Sequence, residues 1–151
     1  MNGRKPSTWA WITVHLAYPL LPVPLEGFIR FAAANWTLGY DTFSASTLAI
    51  SAGLLSVFVN QSLRGQEDIL PDREDIDTRN GACAFFMISG IVFFVLFGVV
   101  VLMYTLVTDR QLVVLTPLLH VFESVVFIFW VVPVASAVVT QRTFKLRASF
   151  I

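Results

Sequence analysis

The chain is poor in cysteine and histidine. Its 151 residues include one cysteine, Cys83, and two histidines, His15 and His120. A single cysteine excludes an internal disulfide and a Cys-x-x-Cys redox pair, and no Cys/His cluster has the spacing of a zinc site. The two histidines fall at different depths of apolar segments, which argues against one haem bridging both. We therefore expect no metal and no cofactor.

Charge is also scarce and balanced. Charged residues make up 13% of the chain and hydrophobic residues 56%, with a mean hydropathy of +0.75, whereas a soluble domain carries about 25% charged residues. Ten basic and ten acidic residues give zero formal net charge, so we expect no direct nucleic-acid binding. There is no nucleophile–base arrangement and no phosphate-binding loop, and we expect no enzyme. The paired cysteines of quinone-linked thiol oxidases and the extracellular cysteines of claudins and tetraspanins are also missing.

Long apolar segments predict an all-α, polytopic membrane protein with four transmembrane helices in one bundle. A spanning helix needs about 20 apolar residues, and four segments approach or exceed that length. They cover residues 9–34, 43–63, 82–107 and 112–139. The polar residues 64–81 form the predicted cytoplasmic loop, and 108–111 a tight turn. We expect one transmembrane domain over 1–151.

The distribution of basic residues predicts the orientation. Cytoplasmic loops carry an excess of lysine and arginine. One predicted side receives most of them, namely Arg4, Lys5, Arg64, Arg73, Arg79, Arg142, Lys145 and Arg147. The other side receives Arg110 and Arg30. Both termini are therefore expected in the cytoplasm, in a bacterial inner (plasma) membrane.

The first apolar segment contains three prolines in six residues, Pro19, Pro22 and Pro24. Each proline removes a backbone donor and disfavours helical backbone at the preceding residue. We therefore predict a proline-broken first span, with a second half-helix beginning at Pro24. Glu26 would lie in its first turn, and Arg30 at the spacing of a salt bridge along one face.

A second pair of polar residues lies at a similar predicted depth in the fourth segment. His120 and Glu123 are three residues apart and share a helix face. We predict an intramembrane polar cluster of Glu26, Arg30, His120 and Glu123. Two alternatives stay open: residues 24–36 form an amphipathic helix in the outer headgroups with both charges solvated, or the cluster is a structural salt bridge and no ion path.

The second segment is rich in small residues. Ala45, Ala49 and Gly53 repeat every four residues, with Ser56 one turn further. Small residues at that spacing let membrane helices approach closely. One interpretation places this helix at the centre of its own bundle; the other places it along an oligomer axis, lining a wet pore.

The predicted cytoplasmic loop is acidic, and we expect it to dock a cytosolic partner. Its candidate docking residues are Glu67, Asp68, Asp72, Arg73, Glu74, Asp75 and Asp77. A surface of this kind suits a basic patch on another protein. The alternative is a solvated linker. Residues 72–75, after Pro71, are predicted to begin a short helix.

These features predict a small homo-oligomeric subunit of the lipid bilayer that acts as a membrane anchor and sensor. Its acidic loop and basic tail would engage the cytosolic partner, an arrangement that suits a bacterial stress or defence system. The alternative function is a homo-oligomeric ion channel or pore with Glu26 and Glu123 near the permeation path.

Overall fold

The described part of the protein is all-helical. The computed structural model describes residues 7–34, 42–65 and 73–146, without the side chains of 73–75, and the described residues contain no β-strand. Among these described residues, three helices are long and apolar enough to cross a membrane: 45–64, 76–108 and 113–144. A bent pair of helices at the start of the chain satisfies the same criteria when its two parts are counted together.

The first apolar segment is helical throughout but bent. It consists of α1 (Thr8–Ile12), a π-helical turn (Thr13–Ala17), α2 (Tyr18–Leu20) and α3 (Pro22–Ala33). The two parts meet at an angle of 45°.

The bend lies where proline nitrogens cannot donate to the preceding turn. Pro22 has no N–H for the Tyr18 carbonyl, and that carbonyl instead accepts from Leu21 N at 3.3 Å. Leu21 keeps helical dihedrals, φ −56° and ψ −35°. The prediction of non-helical backbone before each proline was therefore wrong here, and α3 begins at Pro22, two residues before the predicted start.

The central helix is α4 (Ala45–Arg64). It begins at a serine cap, because the Ser44 hydroxyl accepts from the amide of Thr47 at 3.2 Å. It packs against every other major helix, most extensively against α5 and also against α6, α7, α2 and α3. Half of its most apolar 18-residue stretch is buried inside the bundle.

The longest helix is α5 (Arg73–Thr108), with 36 residues. Its first nine residues occupy positions 73–81, which the sequence assigned to the cytoplasmic loop. The prediction of a short helix beginning at 72–75 is corrected for the described residues: 73–75 belong to the start of the long helix, and no proline follows them before its end. Most of α5 is exposed: 22% of its most apolar 18-residue stretch is buried inside the bundle. The exposed remainder can contact lipid.

The last apolar segment follows a tight turn. Gln111 has a φ of 55°, and a 3₁₀ turn (Val113–Leu115) then leads into α6 (Thr116–Phe129) and α7 (Val131–Phe144). Pro133 cannot donate to the Phe129 carbonyl, which accounts for the interruption at Trp130. Lys145, at φ 49°, ends α7 in the left-handed conformation.

Two apolar clusters fill the interior, one at each end of the bundle. The first contains Trp11, Leu63 and Leu146, and we call this the terminal end. The second contains Ala45, Val100 and Leu119, and we call this the turn end, because residues 108–116 reverse the chain there. The antiparallel packing of α4, α5 and α6–α7 follows from these short connections.

Candidate functional site

An open groove with a volume of about 1060 Å³ lies at the turn end. Four helices contribute to it: α3, the start of α4, the last turns of α5, and α6. Its polar lining residues are Arg30, Ser44, Ser46, Tyr104, His120, Glu123 and Ser124. Its apolar lining includes Val100, Val101, Phe127 and Ile128. The groove therefore combines charged groups with an apolar wall, a composition suited to an amphipathic molecule.

Glu26 and Arg30 form an ion pair within α3. Glu26 Oε1 accepts a hydrogen bond from Arg30 Nε at 2.9 Å, and Arg30 Nη2 lies 2.9 Å from the same oxygen. The Arg30 side chain is 47% exposed and that of Glu26 23%. Arg30 lines the groove, whereas Glu26 does not. Glu26 is connected to the groove only by its ion pair with Arg30. The pair thus holds a guanidinium at the edge of the groove.

His120 and Glu123 form a second pair within α6. His120 Nδ1 donates to Glu123 Oε2 at 3.0 Å, and the Ser124 hydroxyl donates to the His120 carbonyl at 2.7 Å. The histidine side chain is 69% exposed and the glutamate 31%. Both residues line the groove. A carboxylate is thereby oriented on the wall formed by α6.

The groove brings three of the four predicted cluster residues onto one surface: Arg30, His120 and Glu123. Sequence reasoning missed Tyr104, Ser44 and Ser46. The serines precede or begin α4, and their hydroxyls lie 2.5 Å apart. Tyr104 lies on the same face of α5 as Val100, one helical turn further along. Nothing in the sequence indicated that this face turns toward α6.

The predicted small-residue packing positions lie inside the bundle. Ala49 and Ser56 are fully buried, and Ala45 is 4% exposed. A Cβ added to Gly53 would lie 3.3 Å from the Phe94 ring of α5. The Ser56 hydroxyl donates to the Ala52 carbonyl at 2.8 Å and lies 3.3 Å from Ser89 Oγ. All four positions therefore face the interior of a single chain.

The candidate docking residues are described only in part. Asp77 is exposed on α5. Arg73, Glu74 and Asp75 belong to the first turn of α5, but their side chains are outside the described part of the structure. Glu67, Asp68 and Asp72 lie outside the described residues altogether.

His15 lies in the terminal half of the bundle, far along the chain from the groove. Its ring stacks on Trp11 with centroids 5.1 Å apart, and its Nδ1 donates to the Trp11 carbonyl at 3.1 Å. Within ranges 7–34, 42–65 and 73–146, no group of three histidine, cysteine or acidic residues is placed to hold a metal ion. His15 is thus part of the packing of the first segment.

Comparison of the chain with protein-family models, curated proteins and solved structures finds no match.

Proposed function

We propose that this protein is a small integral membrane subunit that senses a lipid and anchors a cytosolic partner. The observation that carries the proposal is the convergence of Arg30 and Glu123 on one open groove at the turn end. A purely structural anchor has no need for opposite charges on a lateral surface, because ionised side chains are costly within a bilayer.

The proposed topology has four spans, with the bent first segment counted as one of them. In this topology the end of α4 and the start of α5 would lie on the same side of the membrane as both termini. That side carries Arg64, Arg79, Arg142 and Lys145 among the described residues, whereas Arg110 lies at the turn end. By the positive-inside rule the terminal end is cytoplasmic, and the groove opens in the outer half of the membrane.

The charges of the groove favour a zwitterionic headgroup. Arg30, whose Nε and Nη2 face Glu26, places a positive charge at the groove that attracts a phosphate, and Glu123 offers a carboxylate that accepts from an ammonium group. The apolar wall of Val101, Phe127 and Ile128 would contact the upper part of an acyl chain. Phosphatidylethanolamine has these three features, and we propose a lipid of this class as the ligand.

The acidic segment after α4 supports the proposed anchoring of a cytosolic partner. Residues 66–75 carry five of the ten acidic side chains of the chain and follow the end of α4 on the proposed cytoplasmic side. Because acidic groups avoid the anionic inner leaflet, this segment is available to a basic patch on a soluble protein. A pull-down lost when Asp72, Glu74 and Asp75 are replaced by alanine tests this docking role.

Photo-crosslinking tests the groove. The full-length protein is placed in phosphatidylcholine nanodiscs with a small fraction of diazirine-bearing phosphatidylethanolamine. We expect crosslinks on residues 100–104 and 120–128, reduced several-fold in Arg30→Gln and Glu123→Gln. Asp77→Asn is the control, because it removes an exposed carboxylate far from the groove. Equal labelling of all four proteins, or equal labelling by diazirine-bearing phosphatidylcholine of the same chain length, overturns the lipid assignment.

The alternative is an ion channel. The centre of the described bundle is occupied by side chains, since Ala49, Leu55 and Val59 on α4 are fully buried. A conduction path would therefore have to form between copies of the chain. Cation flux in liposomes that disappears in Glu26→Gln or Glu123→Gln would support the channel and contradict the sensor.

A further inference from the structure

A second cleft lies at the terminal end, where α4 ends and α5 begins. Its volume is about 410 Å³. It is lined by Arg64, Arg79, Asn80, Cys83, Ala84 and Met87. In the sequence, both arginines indicate only the orientation of the chain in the membrane. The cleft shares no residue with the groove that holds Arg30 and Glu123.

Each arginine comes from a different helix. Arg64 is the last residue of α4, and its Nη2 lies 4.0 Å from Met87 Sδ on α5. Arg79 belongs to α5, is 6% exposed, and its Nη2 donates to Asn80 Oδ1 at 3.3 Å. The α4–α5 contact, the most extensive in the bundle, therefore holds two guanidinium groups at one cleft.

The cleft changes from polar to apolar along α5. Arg79, Cys83 and Met87 follow one another at intervals of four residues and so share a helix face. Met87 lies about 12 Å from Arg79 along the helix axis, at 1.5 Å per residue. Met87 is 48% exposed, and the neighbouring Ile88 is 58% exposed. An apolar surface thus leads from Arg79 toward the middle of the membrane, and the Arg64 guanidinium lies beside its Met87 end.

We propose that this cleft binds the phosphate of an anionic phospholipid in the cytoplasmic leaflet. Guanidinium groups bind phosphate through paired, charge-assisted hydrogen bonds, and basic pockets between transmembrane helices on the cytoplasmic side suit lipid headgroups. The acyl chain lies along Ala84, Met87 and Ile88. This site is independent of the ligand proposed for the turn-end groove, since the two share no residue.

A lipid fits the cleft better than a soluble anion. Inorganic phosphate would use the two arginines and leave the apolar floor of Ala84 and Met87 uncovered. A phospholipid covers both the charged end and the apolar end. The position of the cleft at the proposed membrane surface also places it at the depth of lipid phosphates.

Native mass spectrometry of the full-length protein in mild detergent tests the proposal. Phosphatidylglycerol and phosphatidylcholine of matched chains are added in separate titrations. We expect preferential retention of phosphatidylglycerol, weakened about fivefold by Arg64→Gln, the effect of one basic residue near a membrane surface. Arg64→Lys keeps the charge but loses the guanidinium fork. Its retention of phosphatidylglycerol should lie between that of the unmodified protein and that of Arg64→Gln.

Arg142→Gln is the matched control, because Arg142 is exposed at the same end of the bundle but does not line the cleft. It should bind phosphatidylglycerol as the unmodified protein does. Arg79→Gln should weaken binding by a similar factor, but Arg79 is buried, so the decision rests on the exposed Arg64.

Two results overturn the proposal. One is equal retention of phosphatidylglycerol by Arg64→Gln, Arg142→Gln and the unmodified protein. The other is thermal stabilisation by inorganic phosphate equal to that given by the lipid, which would assign the cleft to a soluble anion. Neither result bears on crosslinking in the turn-end groove, so this proposal and the proposed sensor function can fail separately.

Discussion

The indole of Trp11 donates a hydrogen bond of 2.6 Å to the hydroxyl of Ser62, 51 residues further along the chain. Trp11 is fully buried and belongs to the same apolar cluster as Leu63 and Phe86. The contact ties the first, bent segment to the end of α4. It therefore positions α1 and, through the segment that follows, the half-helix that carries Arg30.

Ser62→Ala should destabilise the protein by about 1–3 kcal/mol, the cost of a buried donor left without a partner. The measurement is thermal unfolding in mild detergent. Thr13→Ala is the control, because the Thr13 hydroxyl is exposed and donates to the Trp9 carbonyl within its own turn. Equal melting temperatures of the two variants would show that the Trp11 indole finds another acceptor.

Two buried serines of α4 should differ in their response to replacement by alanine. The Ser51 hydroxyl is buried and has no hydrogen-bond partner among the described residues, whereas the Ser56 hydroxyl donates to the Ala52 carbonyl and lies near Ser89. Ser51→Ala should leave stability unchanged or raise it. Ser56→Ala should lower it by about 0.6 kcal/mol, the average for hydrogen bonds between membrane helices.

Thermal unfolding of both serine variants in mild detergent measures the difference in their stability. Each is fully buried on the same helix, so each serves as the control for the other. A larger loss in Ser51→Ala than in Ser56→Ala would contradict the assigned hydrogen bonds.

Gly27→Ala should disturb the groove from outside its lining. A Cβ at Gly27 would collide with the Phe43 ring, and Phe43 lines the groove. Because the ring can rotate away, we expect a small change in melting temperature but a clear fall in crosslinking to phosphatidylethanolamine. Gly98→Ala is the control, since a Cβ there has no atom within 4 Å among the described residues. Identical crosslinking in both variants would show that Phe43 does not contribute to the ligand site.

Replacing both Pro22 and Pro24 by alanine should straighten the first segment. The new amides can donate to the Tyr18 and Leu20 carbonyls, and the 45° angle should fall below about 20°, the lower limit of a sharp kink. Spin-label distances between positions 9 and 28, in a Cys83→Ser background, measure the change. Pro117→Ala is the control, because Pro117 occupies the first turn of α6, where no donor is missing. An unchanged distance would assign the bend to packing against α4.

The polar pairs show how far sequence reasoning extends toward the candidate site. The spacing of Glu26 and Arg30 predicted their ion pair, and the spacing of His120 and Glu123 placed them on one face, because both relations lie within a single helix. The contribution of Tyr104, Ser44 and Ser46 could not be predicted, since it depends on how α4, α5 and α6 are rotated against one another. The terminal cleft was missed for the same reason: Arg64 and Arg79 meet only across a helix contact.

The sequence by itself determined that the chain is helical and apolar enough for a membrane, where the prolines bend it, and which charges pair within a helix. These are local properties, set by backbone chemistry and by transfer of side chains from water. Only the tertiary structure decided that α5 begins at Arg73, that the small face of α4 is covered, and that the groove and the cleft exist. Those features arise from the fit of side chains between helices distant in sequence, which no local pattern encodes.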